Sequence, residues 1–152
     1  MSNIVEAKNI FLGYKNHEAI IKNASFDIEQ KSFNFITGHS GSGKSTLLKS
    51  LYGNMQLTDG FLQVCGMDLR KINNKKLNLL RRHIGIVFQD YKLIKEWNVK
   101  KNVILPLLIA GFSNDVCEAQ TEKLLAHIKL SHKADKYPQE LSGGEQQRVA
   151  MA

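Results

Sequence analysis

Proline and cysteine are both scarce in this sequence, with 2 of each in 152 residues. With 11 glycines and a 43% hydrophobic share, the chain is neither collagen-like, low-complexity nor intrinsically disordered. Cys65 and Cys117 cannot build a disulfide framework, and their spacing matches no metal site, so a reducing, cytoplasmic setting is expected. Long apolar runs are missing too. The longest, from Val103 to Ala110, is interrupted by Pro106 and falls far short of the roughly 20 residues that a membrane-spanning helix needs. The first seven residues show no basic head followed by an apolar stretch, so no secretory signal is expected. Acidic residues are the scarcer charge, 14 against 21 lysines and arginines, for a formal net charge of +7. Such an excess suits nucleic acid, an anionic membrane surface or phosphate ligands, and equally the absence of an acidic part of the protein. The length suits one domain with a sizeable core.

The chain reads in two textures. Ile4 to Tyr14 and Ala19 to Ile28 mix apolar and polar residues, as half-exposed antiparallel strands do. Phe33 to Thr37 is short and apolar and runs straight into a glycine-rich loop. A helix is predicted from Ser45, stopped by Gly53. Gly60 to Cys65 reads as a further strand, Lys75 to Arg82 as a short basic helix and Ile84 to Phe88 as a buried strand. Beyond Asp90 helix prevails: Cys117, Thr121, Leu124, Leu125 and Ile128 fall at i, i+4, i+7, i+8 and i+11, one face of a helix. Strands first and helices later, with one strand feeding a glycine loop and helix, give α/β or α+β.

Gly38-His39-Ser40-Gly41-Ser42-Gly43-Lys44-Ser45 satisfies G-x-x-x-x-G-K-[ST]. Glycines let the backbone curl so that successive N–H groups point inward at phosphate oxygens, and the following helix adds its positive end. Lys44 reaches β- and γ-phosphates, and the Ser45 hydroxyl suits a Mg²⁺ position, with Thr46 closing the loop. A chance glycine turn would lack the strand before and the helix after, so nucleotide binding is the expectation. The loop alone does not choose ATP over GTP, nor kinase over motor.

A second motif lies near the end: Leu141-Ser-Gly-Gly-Glu-Gln-Gln-Arg-Val-Ala150. Ser142, Gly143 and Gly144 open a helix whose free N–H groups make a second anion-seeking start. A serine-capped surface helix fits the same residues, and composition does not separate the two.

The second motif resembles the signature sequence of ABC-type ATPases, which caps the nucleotide held by the other subunit of a dimer. Ile86-Val-Phe-Gln89 resembles that family's Q-loop, whose glutamine contacts Mg²⁺ and the attacking water and relays the state of a membrane partner. Tyr14 stands where the family places an aromatic that stacks on adenine, although a strand tyrosine is also an ordinary structural residue. The motifs follow the family's order and spacing over essentially the whole chain.

The resemblance implies an α/β P-loop NTPase of the ABC type. Its parts are an N-terminal antiparallel β region, a parallel core sheet that is incomplete here, and a helical subdomain. Residues 1–90 would carry the β region and phosphate-loop core, 91–140 the helical subdomain and 141–152 the start of the signature helix. It further implies ATP and Mg²⁺ as ligands and a homodimer closed through ATP. The remaining implications are an integral membrane permease as partner, a peripheral place on the cytoplasmic face of the membrane, and no nucleic acid. The implied catalytic residues are Lys44 and Gln89; the metal position falls to Ser45 and Gln89. The implied nucleotide contacts are Tyr14 and Gly38 to Thr46, with Ser142, Gly143 and Gly144 supplied in trans.

Three stretches, Phe35–Lys49, Leu80–Asp90 and Asn102–Gly111, are similar to the family's bacterial cell-division branch, and His39 belongs to that likeness. The lipoprotein-releasing and macrolide-export branches are near neighbours. A nucleic-acid-processing ATPase and a non-catalytic nucleotide-binding fragment are the rivals from other classes.

Two departures stand out. Glu29-Gln30-Lys31 replaces the Pro-Gly-Glu-like turn usual before the loop strand, so a looser turn is expected, and Lys100-Lys101 puts a basic pair before Asn102-Val103. Past the signature the family has a strand ending in Asp-Glu and then a switch histidine. No apolar run followed by Asp-Glu occurs here, and none of His17, His39, His83, His127 and His132 is placed to be the switch. The expectation is a fragment, unstable alone and without ATP hydrolysis.

Overall fold

The computed structural model describes residues 3–14 and 18–152; His17 lies outside them. The chain forms two compact units, Met1–Gly85 and Ile86–Ala152. The first is built on a four-stranded sheet of β1 (Asn3–Leu12), β2 (Ile21–Glu29), β3 (Leu57–Val64) and β4 (Met67–Asp68), in the order β2-β1-β3-β4. Every pairing is antiparallel. Two helices, α1 (Lys44–Leu51) and α2 (Asn74–Arg82), belong to the same unit.

β1 explains why its sequence reads as mixed. Val5 and Ala7 are buried at odd positions, then Ile10 and Leu12 at even ones. The switch happens at Asn9, whose φ of 48° marks a bulge and which coincides with a register shift against β2. One extra residue re-aims the strand so that both halves face one core. The bulge is held by the Asn9 N–H donating to Ser25 Oγ at 2.8 Å and Asn9 Nδ2 donating to Asn23 Oδ1 at 2.7 Å. Around it pack Leu62, Val64, Met55 and, from α2, Leu80. Full burial of a leucine or isoleucine such as Leu62 or Ile10 contributes about 1.5–3 kcal/mol.

The expected segments 33–37 and 84–88, at the incomplete parallel part of the sheet, carry no strand ladder among the described residues. A strand gains its backbone hydrogen bonds only from a neighbour. Their apolar side chains accordingly stand open, Phe33 at 85% and Phe35 at 81% exposure, stacked edge to face on each other at 4.9 Å. The turn before them is tighter than expected. Ser32 N–H donates to the Glu29 carbonyl at 3.2 Å and Ser32 Oγ at 2.7 Å, with Lys31 in the left-handed region at φ 65°.

The second unit is helical: α3 (Val99–Ala110), α4 (Asn114–His127) and α5 (Gly143–Met151), with single 3-10 turns at Ser131–Lys133 and Pro138–Glu140. Val99, Val103, Leu125, Leu130, Leu141 and Val149 form its core. The expected face of α4 is the buried one, with Cys117, Thr121 and Leu125 inside. Lys100 pairs with Glu118, joining α3 to α4; that bond raises the lysine's pKa and gives one of the basic pair a structural role. No helix among the described residues is long and apolar enough to cross a membrane.

Thr121 Oγ1 is buried with no hydrogen-bond partner among the described residues. An unsatisfied buried hydroxyl costs about 1–3 kcal/mol, and valine has the same shape without it. Thr121→Val is therefore expected to stabilise the second unit by about 1 kcal/mol. Chemical denaturation with a helix-sensitive probe reads this directly, and an unchanged or lower midpoint contradicts it.

Candidate functional site

The glycine loop joins residue 37 to α1. Gly38, Gly41 and Gly43 have φ of +152°, +81° and +90°. These values turn the chain so tightly that a Cβ on Gly38 would lie 2.6 Å from Ser42 Oγ. The loop curls over the start of α1, where Leu47 N–H donates to the Gly43 carbonyl at 2.8 Å. Lys44 Nζ turns back and donates to the carbonyls of Gly38, at 2.9 Å, and His39, at 2.8 Å. An ammonium has three donors. Two are used on the loop's own carbonyls, and one is left for an oxygen arriving from outside.

His39 Nδ1 lies 2.8 Å from the Ser40 carbonyl, which can only accept, so Nδ1 carries the proton and donates. Ser40, Gly41, Ser42 and Ser45 are not buried, whereas Thr46, in the first turn of α1, is buried. The Ser45 hydroxyl makes no hydrogen bond among the described residues. The assembly offers backbone N–H groups, one ammonium donor and a free hydroxyl to a ligand rich in anionic oxygen.

Tyr14 follows the end of β1 and is 49% exposed. Two residues before it, Leu12 pairs with Ile21, and Ile20 and Ile21 pack against Gly43. Tyr14 thus leaves the sheet at the end that carries the loop. Gln89 opens the second unit, exposed, in a turn. Tyr91 and Lys92 follow it in the left-handed region at φ 56° and 50°, a strained pair for non-glycine residues. Asp90 pairs with Lys92 at 2.6 Å, which lowers the aspartate's pKa.

The start of α5 is a capping box. Glu145 N–H donates to Ser142 Oγ at 3.4 Å, and Glu145 Oε2 accepts from Ser142 N–H at 2.9 Å and from Ser142 Oγ at 3.0 Å. Gly143 and Gly144 need no glycine for their backbone, and a Cβ added to either meets no atom within 4 Å. Both residues are exposed, and neither amide makes a hydrogen bond among the described residues. Gly38 to Thr46 thus lie together in the first unit, Gln89 and Ser142 to Gly144 in the second.

The sequence profile of the ABC transporter family matches residues 21–152. The chain belongs to the ABC transporter family. The cell division ATP-binding protein FtsE of Streptococcus pneumoniae serotype 2 is 38% identical over 149 residues, which cover 98% of this chain and 65% of that protein. The chain therefore spans just under two thirds of that relative's length. The methionine import ATP-binding protein MetN of Photobacterium profundum is 41% identical over 141 residues, 91% of this chain and 41% of MetN. The dimeric structure of the ATP-binding cassette MJ0796 in a post-hydrolysis state, bound to ADP and Pi, superposes with a TM-score of 0.86 at 33% identity. That match covers 97% of this chain and 67% of the cassette. The fold is that of an ABC ATPase cassette, with its antiparallel β region and helical part.

Within this ABC chain two supporting features escape motif reading. Asn102 is one. Its Oδ1 accepts from Ile94 N–H at 2.8 Å, and its Nδ2 donates to the carbonyls of Ile94, Trp97 and Asn98 at 3.0–3.1 Å. A single amide thereby pins the segment after Gln89 to α3. Only its place beside the Asn98 cap hints at this. Lys133 is the other: its Nζ donates to Glu145 Oε1 at 2.5 Å. Nothing in the spacing of a lysine 12 residues before the glutamate signals the contact.

Lys133, first, and then the two Ser142 bonds hold the Glu145 carboxyl down at about 2, from an ordinary 4.5. A carboxylate with a lowered folded-state pKa contributes stability above its unfolded value, and that contribution is lost as pH falls through the folded one. Between about pH 4.5 and pH 2 the wild type is therefore expected to lose stability more steeply than Glu145→Gln. Acid unfolding followed by circular dichroism measures the two slopes; parallel curves contradict the bond network.

Proposed function

We propose that this chain forms the nucleotide-holding part of an ATP-binding subunit in an ABC-type membrane complex, and that ATP binding and hydrolysis by the whole subunit drive a membrane partner. The observation that carries the reading is the Gly38–Thr46 loop, whose amides, Lys44 ammonium and Ser45 hydroxyl make a donor set for polyphosphate. The likeness to a cassette bound to ADP and Pi supports it. In this reading Gly38, His39, Ser40, Gly41, Ser42 and Gly43 wrap the phosphates, Lys44 answers their charge and Tyr14 stacks on adenine.

The free Ser45 hydroxyl suits a Mg²⁺ ligand beside phosphate oxygens, and Gln89 is the second proposed protein ligand. When bound, the ion neutralises phosphate charge. The chain's own part is positioning and electrostatic stabilisation. Two copies would enclose two nucleotides, each held by Gly38–Thr46 of one copy and Ser142, Gly143 and Gly144 of the other. The exposure of Gly143 and Gly144, with room for a side chain at either, supports this arrangement. For the chain itself the reading is nucleotide binding, which the Gly38–Thr46 donor set supports.

The likeness to FtsE favours a role in bacterial cell division, with an FtsX-like permease as partner and a peripheral place on the cytoplasmic face of the inner membrane. The excess of positive charge then serves phosphate rather than nucleic acid. The 41% identity to MetN favours a second reading, a transport ATPase, with which lipoprotein release and macrolide export belong. Affinity capture from detergent-solubilised membranes separates them by the permease recovered.

Removing the Lys44 ammonium deletes a charge-assisted bond to phosphate, so Lys44→Ala is expected to weaken ATP binding to the monomer about 10- to 100-fold. Gly143→Leu fills the space over α5 and is expected to leave monomer binding unchanged while blocking ATP-dependent dimerisation. Fluorescent-nucleotide titration and sedimentation velocity read the two effects. Equal loss of monomer binding in both variants contradicts the split site.

A further inference from the structure

The start of α5 holds a contradiction for an anion site. Gly143 and Gly144 are exposed and their amides make no hydrogen bond among the described residues, yet the Glu145 carboxylate sits in the same turn. A bare negative charge there repels an arriving phosphate. It is also free to swing onto the very N–H groups the phosphate needs, since the first-turn amides have no partner inside the helix. The structure removes both problems through a residue outside either motif. Lys133 Nζ takes Glu145 Oε1 at 2.5 Å, while Oε2 accepts from Ser142 N–H and Oγ. Both carboxylate oxygens are thus engaged by partners other than the Gly143 and Gly144 amides. The Lys133 and Glu145 side chains are only 29% and 17% exposed, so water screens the pair weakly. Lys133 is itself fixed by the 3-10 turn Ser131–Lys133, where its N–H donates to the carbonyl of the fully buried Leu130 at 2.9 Å.

We propose that Lys133 is a positioning residue for the phosphate-receiving end of α5. Its ammonium neutralises Glu145 and pins it onto Ser142, which keeps the Gly143 and Gly144 amides open to a phosphate. This rests on the reading of Ser142 to Gly144 as the in-trans part of the nucleotide site. Lys133 touches no ligand in this scheme; it acts through Glu145.

The test is a titration of the chain with inorganic phosphate, followed by the amide resonances of Gly143 and Gly144 and, separately, those of Gly41 and Gly43. Lys133→Met is expected to weaken the response at Gly143 and Gly144 by about tenfold and to leave the loop response unchanged. Lys133→Arg keeps most of the wild-type affinity. Lys133→Met combined with Glu145→Gln restores it, because the charge to be neutralised is gone. Glu145→Gln alone, with Lys133 kept, tightens phosphate binding at α5, and this variant carries the test if Lys133→Met does not fold. A purely structural lysine would lower the melting temperature without moving phosphate affinity. Wild-type affinity in Lys133→Met, a double variant as weak as the single, or weakened binding in Glu145→Gln overturns the proposal. A wild type whose loop amides respond while Gly143 and Gly144 stay silent to free phosphate overturns the proposal and leaves the in-trans reading standing, because a nucleotide held by a second copy can still reach these amides.

Discussion

The Lys44 ammonium bound to the Gly38 and His39 carbonyls is the interaction on which the glycine loop depends. A loop that turns its N–H groups to one side leaves carbonyls on the other, and in three closely spaced glycine-allowed turns no strand or helix answers them. One flexible side chain, fixed at its base in the first turn of α1, closes that deficit and still brings a positive charge to the mouth of the loop. Gly43 completes the arrangement from below. Without a side chain it lets Ile20 and Ile21 press against the loop, so the β sheet and the start of α1 hold the curl between them. Shape and charge come from the same few atoms.

Much of this is legible in the sequence, because glycine spacing and a lysine six residues after the first glycine state a backbone shape almost directly. β1, β2 and β3 are legible as mixed or short apolar runs, α1 by the glycine loop before it and Gly53 after it, α2 as a short basic run and α4 by periodicity, with ends displaced by a few residues. Other features depend on partners far along the chain. The Asn9 bulge breaks the alternation of β1, and only the Ser25 and Asn23 contacts on β2 reveal why. The segments at 33–37 and 84–88 look like buried strands by composition, yet strand structure is a property of pairs, and neither carries a ladder here. The tight turn at Glu29 to Ser32 is hidden because a lysine adopting φ 65° is unusual, although a serine hydroxyl compensates for it.

Asn102 and Lys133 illustrate a different kind of invisibility. Neither belongs to the phosphate loop, the Q-loop or the signature, and each acts by satisfying polar groups elsewhere in the second unit. Asn102 answers four backbone groups between Ile94 and Asn98, in a segment that begins with the strained pair Tyr91 and Lys92. Lys133 answers the Glu145 carboxylate of the capping box. Asn102 holds the backbone of the segment after Gln89, and Lys133 holds the carboxylate of the signature's capping box. Gly143 and Gly144 complete the contrast with the loop glycines. Gly38 and Gly43 are required by their own chain, whereas nothing among the described residues requires glycine at 143 or 144.

The central claim is that one copy's Gly38–Thr46 and another copy's Ser142–Gly144 share a nucleotide. Amide hydrogen exchange of the wild-type chain with and without ATP, over a range of protein concentrations, tests it most directly. The expected result is protection of residues 38–46 at every concentration, and protection of residues 142–144 only once the protein is concentrated enough to dimerise. Protection at 142–144 that tracks the loop in dilute monomer, or none at any concentration, would contradict the shared site.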